Sequence, residues 1–185
     1  MKLFTKFLSQ YGRSKYCSKF ENIIAFLVYI IYFHTNNKVV FTKNHYHEIK
    51  NVSWDDVKRK VLFEIQNNMG QSMDDVKNPI AYKCESFYLP GSIHTAYNEV
   101  INSKSGKKLL DDRDLHMYVS YKGKCKTFGN HNDEENVLIV QSIGSVQYRI
   151  NGEIYTLNPG DSLYIPSGVY HEPIVSEPRV TFSFS

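Results

Sequence analysis

Val146-Gln-Tyr-Arg-Ile150-Asn151-Gly152-Glu153-Ile-Tyr-Thr-Leu157 decides the fold. Asn151-Gly152 is the dipeptide that most favours a two-residue hairpin, because both of its positions accept positive φ. Strand-forming residues flank it on both sides. Working outward, the period stays at two and turn residues recur at Lys122-Gly123, Gly144, Pro159-Gly160 and Ser167-Gly168. The spacing predicts strands over 115–121, 124–130, 136–142, 145–150, 153–157, 162–165, 169–175 and 179–184. Eight short strands so punctuated predict a closed barrel or jelly roll.

Upstream the pattern changes. Ser53 is a good helix N-cap, with Asp55 and Asp56 in the first turn. Val57, Val61, Leu62 and Ile65 follow at helical spacing, so 54–67 reads as an amphipathic helix closed by Met69-Gly70. Residues 1–37 read as helical, ending at Asn36-Asn37, and Val39–Thr42 as a short strand. Ile80–Leu89 reads as a strand stopped by Pro90-Gly91. His94–Ile101 suits either helix or strand, and Asn102–Lys108 reads as a surface loop. The fold class is therefore mainly β with an α+β N-terminal region: residues 1–111 pack on a barrel formed by 112–185.

The 185 residues are 42% hydrophobic, with fourteen Tyr and eleven Phe, which is enough to bury a core. A net charge of +3 gives no strong nucleic-acid signal. Its distribution is uneven: residues 1–60 carry eleven Lys and Arg against four Asp and Glu. That excess is read as a solvated face, and it leaves a contact with a membrane or an acidic partner open. Cys17, Cys84 and Cys125 are odd in number and lie far apart, which argues against a disulfide framework or a zinc site. A reducing, cytoplasmic location is the expectation. The apolar run Ile23–Phe33 is eleven residues long, short of the roughly 20 that a spanning helix needs, and reads as a buried helix.

Three side chains carry the chemistry. His131 and Asp133 stand two apart on an extended segment, which puts them on one side. His171 follows a second turn-rich stretch, Asn158-Pro-Gly160-Asp-Ser-Leu-Tyr-Ile-Pro166-Ser-Gly168-Val-Tyr-His171. Two imidazoles and one carboxylate on one face suit Fe(II) and leave coordination positions open.

Gly160-x5-Pro166-x-Gly168-x2-His171 resembles the second sequence signature of the cupin superfamily, and His131-x-Asp133-x3-Val137-x6-Gly144 keeps the spacing of the first. The Asp at position 133 and the Val at 137 depart from the usual His and Glu. The resulting His-x-Asp…His set resembles the JmjC-type Fe(II)/2-oxoglutarate-dependent oxygenases over residues 115–185. That resemblance implies a double-stranded β-helix and Fe(II) held by His131, Asp133 and His171. It implies 2-oxoglutarate as co-substrate, with hydroxylation of an unidentified small molecule or protein side chain. No catalytic residue beyond the metal ligands is implied. JmjC-type enzymes usually place a Lys or Arg where Val146 stands here. Related oxygenases place an Arg on the last strand instead, which points to Arg179 with Thr181 for the distal carboxylate. Asn136 is a further candidate, for the metal-side carboxylate, and Arg149 has the wrong parity for the role. Two other readings stand beside this one: a cupin-like binding module without turnover, and a metal-dependent cupin enzyme that uses no 2-oxoglutarate. His45-Tyr-His47 has metal-like spacing but no second half, and Glu134-Glu135 reads as a solvated corner.

Overall fold

The structure is a computed structural model, and it describes residues 38–73, 81–109 and 114–185. The helix expected over 1–37, with its apolar run, lies outside the described residues. From Val39 onward the chain forms one compact unit. In chain order it comprises β1 (Val40–Thr42), a 3-10 turn (Glu48–Asn51), α1 (Trp54–Gln66), β2 (Gln71–Ser72), β3 (Ala81–Cys84), α2 (Ser92–Asn102) and α3 (Lys104–Leu109). There follow β4 (Leu115–Ser120), β5 (Val137–Ile143), β6 (Val146–Ile150), β7 (Glu153–Leu157), β8 (Ser162–Ile165), β9 (His171–Ile174) and β10 (Arg179–Phe184).

Two antiparallel sheets face each other. The larger runs β1-β8-β5-β10-β4-β3-β2, and the smaller runs β7-β6-β9. The Asn151-Gly152 hairpin joins β6 to β7 with Ile150 opposite Glu153. This is the jelly roll that the turn spacing predicts. Its larger sheet also recruits β1, β2 and β3 from upstream of residue 112, with β1 beside β8 and β3 beside β4.

Apolar side chains form two cores. One lies inside the barrel and includes Val146, Tyr148, Leu157 and Leu163. The other lies between the larger sheet and the helices, where Phe182 and Phe184 meet Val57, Ile93 and Val100. Val137 and Ile139 of β5 face the inner core while Leu138 and Val140 face the outer one. A strand covered on both faces reads as a continuous apolar run, as this one does.

Several local expectations are corrected. Residues 124–130 form a loop, not a strand, since Lys124 and Gly129 adopt φ of 57° and 68° and break the extended run. The segment 102–108 is mostly helix, because the Ser103 hydroxyl accepts from Gly106 N at 2.9 Å and starts α3. His94–Ile101 falls inside α2. The strand expected over 80–89 is confined to β3, beyond which Ser86 N turns to donate to Glu64 at 2.8 Å. α1 begins as expected, with Asp56 N donating to the Ser53 hydroxyl at 3.2 Å. Its buried face differs from the apolar stripe: Val57 and Val61 are buried beside Lys60 and Glu64, while Leu62 and Ile65 are 55% and 44% exposed. Among the described residues, no helix is long and apolar enough to cross a membrane.

Candidate metal centre

The centre is assembled by one backbone pairing. His131 N donates to His171 O at 3.0 Å and His171 N donates to His131 O at 2.8 Å. Residues so paired across an antiparallel ladder project to the same face, and Asp133, two residues on from His131, joins them. Ligand atoms of all three lie within 4.8 Å of one another. The two imidazole centroids are 4.3 Å apart, and His171 Nε2 is 3.5 Å from Asp133 Oδ2.

Both imidazoles are held in one tautomer. His131 Nδ1 donates to Gly129 O at 3.0 Å, and His171 Nδ1 donates to Val169 O at 3.1 Å. A carbonyl can only accept, so each Nδ1 carries the proton and each Nε2 keeps a lone pair for a ligand. Burial holds the His171 imidazole below its ordinary pKa, against the Val169 carbonyl, and His131 pushes the same way as burial. The ring is thereby kept neutral, which is the state a metal ligand needs. Two imidazoles and a carboxylate fit a divalent transition ion such as Fe(II).

Arg179 opens β10 and lines the same cavity as the three ligands. It is 4% exposed, and its Nε and Nη1 have no hydrogen-bond partner. Its guanidinium carbon lies 5.7 Å from the centroid of the Tyr118 ring. Burial lowers its pKa, and Tyr148 and Tyr118 act in the opposite sense. Both tyrosines line the cavity, and burial raises both of their pKa values, so their hydroxyls stay protonated as donors. His116 and Ser183 sit opposite each other on the β4–β10 ladder and line the cavity too. Burial lowers the His116 pKa, with Lys83 acting in the same direction.

The remaining sequence candidates are occupied elsewhere. Thr181 is buried and donates to Gln141 Oε1 at 2.6 Å, so its hydroxyl points to a protein partner and it does not line the cavity. Asn136 is not among the lining residues either, and its Oδ1 accepts from Ser167 N at 3.1 Å. Val146 packs in the inner apolar core, and Arg149 pairs with Glu172 at 2.5 Å on the outside. His45 bonds the Ser162 hydroxyl at 2.9 Å. Glu134 and Glu135 are exposed, as a solvated corner requires, and both also line the cavity. Tyr118, Tyr148 and His116 are additions that the sequence reading missed. For His116 and Tyr118 the signal was parity: His116, Tyr118 and Ser120 face Ser183, Thr181 and Arg179 across the ladder, polar against polar.

Residues 117–181 match the family model of the cupin domain. The fold of that stretch is a cupin jelly roll. No curated protein sequence matches it. Among solved structures it is similar to YcfD, a ribosomal oxygenase from Escherichia coli, in complex with cobalt and 2-oxoglutarate. That likeness is at 18% identity over 84% of this chain and 51% of that one, with a TM-score of 0.59. The same protein in complex with cobalt and succinic acid gives a TM-score of 0.60 at 18% identity, again over 84% and 51% of the two chains. The present chain thus spans about half the length of that oxygenase, and at this identity the likeness is one of fold. In this jelly roll the triad stands at the edge of the smaller sheet, and Arg179 stands on the larger sheet, so the cavity is walled by both.

Proposed function

We propose that this chain is an Fe(II)- and 2-oxoglutarate-dependent dioxygenase that hydroxylates a substrate admitted to the cavity. The observation that carries this reading is Arg179: a buried guanidinium with unpartnered nitrogens in the cavity that holds His131, Asp133 and His171. An unpaired buried charge is costly, and a carboxylate ligand removes the cost. A dicarboxylate that chelates the metal at one end and meets Arg179 at the other satisfies both halves of the cavity. The cobalt complexes of YcfD with 2-oxoglutarate and with succinic acid support the choice of ligand.

In this reading His131, Asp133 and His171 hold the metal. Arg179 binds the distal carboxylate, and the Tyr118 and Tyr148 hydroxyls donate to it. Thr181 and Asn136 take no part in binding. The inner apolar core excludes water from the floor of the cavity. When bound, the metal and co-substrate supply an O₂-dependent oxidation, in which 2-oxoglutarate becomes succinate and CO₂ and the substrate gains one oxygen atom.

Anaerobic Fe(II) titration with and without 2-oxoglutarate tests it. The expected result is a visible charge-transfer band on adding 2-oxoglutarate to the Fe(II)-loaded chain. In Arg179→Met, Fe(II) affinity should stay close to the parent's. 2-Oxoglutarate affinity should fall at least about tenfold, since a hydrogen bond to a charged group contributes roughly 1.5–3 kcal/mol. Metal uptake with no response to 2-oxoglutarate would instead favour a metal-dependent cupin enzyme of another kind. No metal uptake would favour a binding module without turnover.

A further inference from the structure

His131 and Asp133 sit on the loop ahead of β5, and His171 opens β9 directly after a second loop. The second loop turns at Pro166-Ser167-Gly168-Val169, where Val169 N donates to Pro166 O at 3.2 Å. Gly168 has φ of 78°, as the third position of a type II turn requires. The turn is fastened to the first loop at three residues. Gly168 N donates to Asp133 O at 2.9 Å, Ser167 Oγ donates to Glu134 O at 2.7 Å, and Ser167 N donates to Asn136 Oδ1 at 3.1 Å.

These bonds have a division of labour. Each imidazole is oriented by a carbonyl two residues before it in its own loop, Gly129 for His131 and Val169 for His171. Asp133 is held through its main chain, between the Gly168 bond at its own carbonyl and the Ser167 bonds at residues 134 and 136. Its side chain is 39% exposed and rests 3.5 Å from His171 Nε2. Where Asp133 sits relative to His171 is therefore set by the turn and by what the turn grips. Ser167 is exposed and Asn136 is half-buried, and both lie outside the two cores, so the bonds between them contribute little to global stability. Their effect is on register between the two loops.

We propose that Asn136 and Ser167 are positioning residues of the metal centre, fixing the Asp133 carboxylate against the two imidazoles from outside the cavity. This rests on the metal-binding reading above. Partners one step removed from the ligands typically alter metal affinity about 10–100-fold.

The test is Co(II) titration of the full metal-free chain, read by visible absorption and calorimetry, alongside urea unfolding of each protein. Asn136→Ala removes the acceptor for Ser167 N, and Ser167→Ala removes the donor to Glu134 O. Each should weaken Co(II) binding about tenfold or more, with an unfolding midpoint close to the parent's. Asn136→Asp and Ser167→Thr keep the acceptor and the hydroxyl and should restore most of the affinity and the parent absorption envelope. Alanine variants that bind Co(II) as the parent does would overturn the proposal. So would losses that track the unfolding midpoint and are not restored by the conservative variants. A parent chain that takes up no Co(II) would overturn the metal reading itself, and the positioning role with it.

Discussion

Arg179 places a guanidinium where the fold supplies no acceptor for two of its nitrogens. Replacing such a charge with an apolar side chain of similar length relieves desolvation, and the Met side chain can follow the same path beside Tyr118. We expect ligand-free Arg179→Met to be more stable than the parent by about 1 kcal/mol or more. In a chain of this size that is roughly 2–4 °C per kcal/mol in melting temperature. Relative to Co(II) alone, Co(II) with 2-oxoglutarate should raise the melting temperature of the parent and raise that of the variant by less. Differential scanning calorimetry decides it; a variant that melts below the parent would mean that the guanidinium is already satisfied. At this scale the sequence was most legible where spacing alone set geometry. His131, Asp133 and His171 converge because residues two apart share a face and because the turn returns His171 beside His131. Asn136 and Thr181 were misleading for one reason: a polar side chain beside a site is as readily used by the protein as by a ligand. The roles of Tyr118 and Tyr148 were hidden because large aromatics at inward positions look the same in sequence whether they fill a core or line a cavity.

α1 shows where patterning fails at the scale of an element. Its buried face carries an ion pair, Lys60 Nζ to Glu64 Oε1 at 3.0 Å, both side chains being fully buried. The ammonium also donates to Ser86 O at 2.6 Å and Tyr88 O at 3.1 Å, so the pair ties α1 to the chain leaving β3. A hydrophobic-periodicity reading turns such a helix toward Leu62 and Ile65, which stay exposed. Burial alone would raise the Glu64 pKa, but the Ser86 and Lys60 hydrogen bonds outweigh it and hold the carboxyl ionised. Lys60→Met should therefore destabilise the chain by about 3–5 kcal/mol by leaving Glu64 unpaired. Lys60→Met with Glu64→Leu should recover most of that loss, as judged by urea unfolding. At the start of the same helix, Asp56 accepts from the Ser92 N–H at 2.9 Å and from the Ser92 hydroxyl, and so caps α2. The Ser92 hydroxyl leads in lowering its pKa from 3.8 to about 2. A carboxylate depressed on folding stabilises fully above its unfolded value and loses that contribution as pH falls through the folded one. The stability gap between parent and Asp56→Asn should be constant near neutrality and close between about pH 4 and pH 2, with thermal melts at stepped pH as the measurement.

The whole molecule depends on strands from both halves of the chain. Three of the seven strands in the larger sheet, β1, β2 and β3, precede residue 112. The outer faces of Phe182 and Phe184 are covered by residues such as Ile49, Val57 and Ile93. A fragment of residues 112–185 would expose that core and the flanks of β8 and β4. We expect it to show no cooperative thermal transition and poor amide dispersion by NMR, in contrast to the full chain; a sharp transition in the fragment would show that the barrel stands without its upstream strands. The barrel itself was legible because Asn151-Gly152 and the other turns punctuate it. The upstream strands were less so, because two to four residues of strand carry too little alternation to be read.

The reciprocal backbone bonds between His131 and His171 also have a consequence in time. They stand beside the bonds from Gly168 and Ser167, which join the same loop to the chain entering β9. An excursion that breaks this rung together with the turn bonds parts the two imidazoles, and in the metal-binding reading proposed above ion release and local opening are then one event. The lifetime of a captured ion is then bounded by how seldom the rung breaks. Hydrogen exchange at the His131 and His171 amides should slow together on loading and speed together on chelation, as a clock for the residence of the ion.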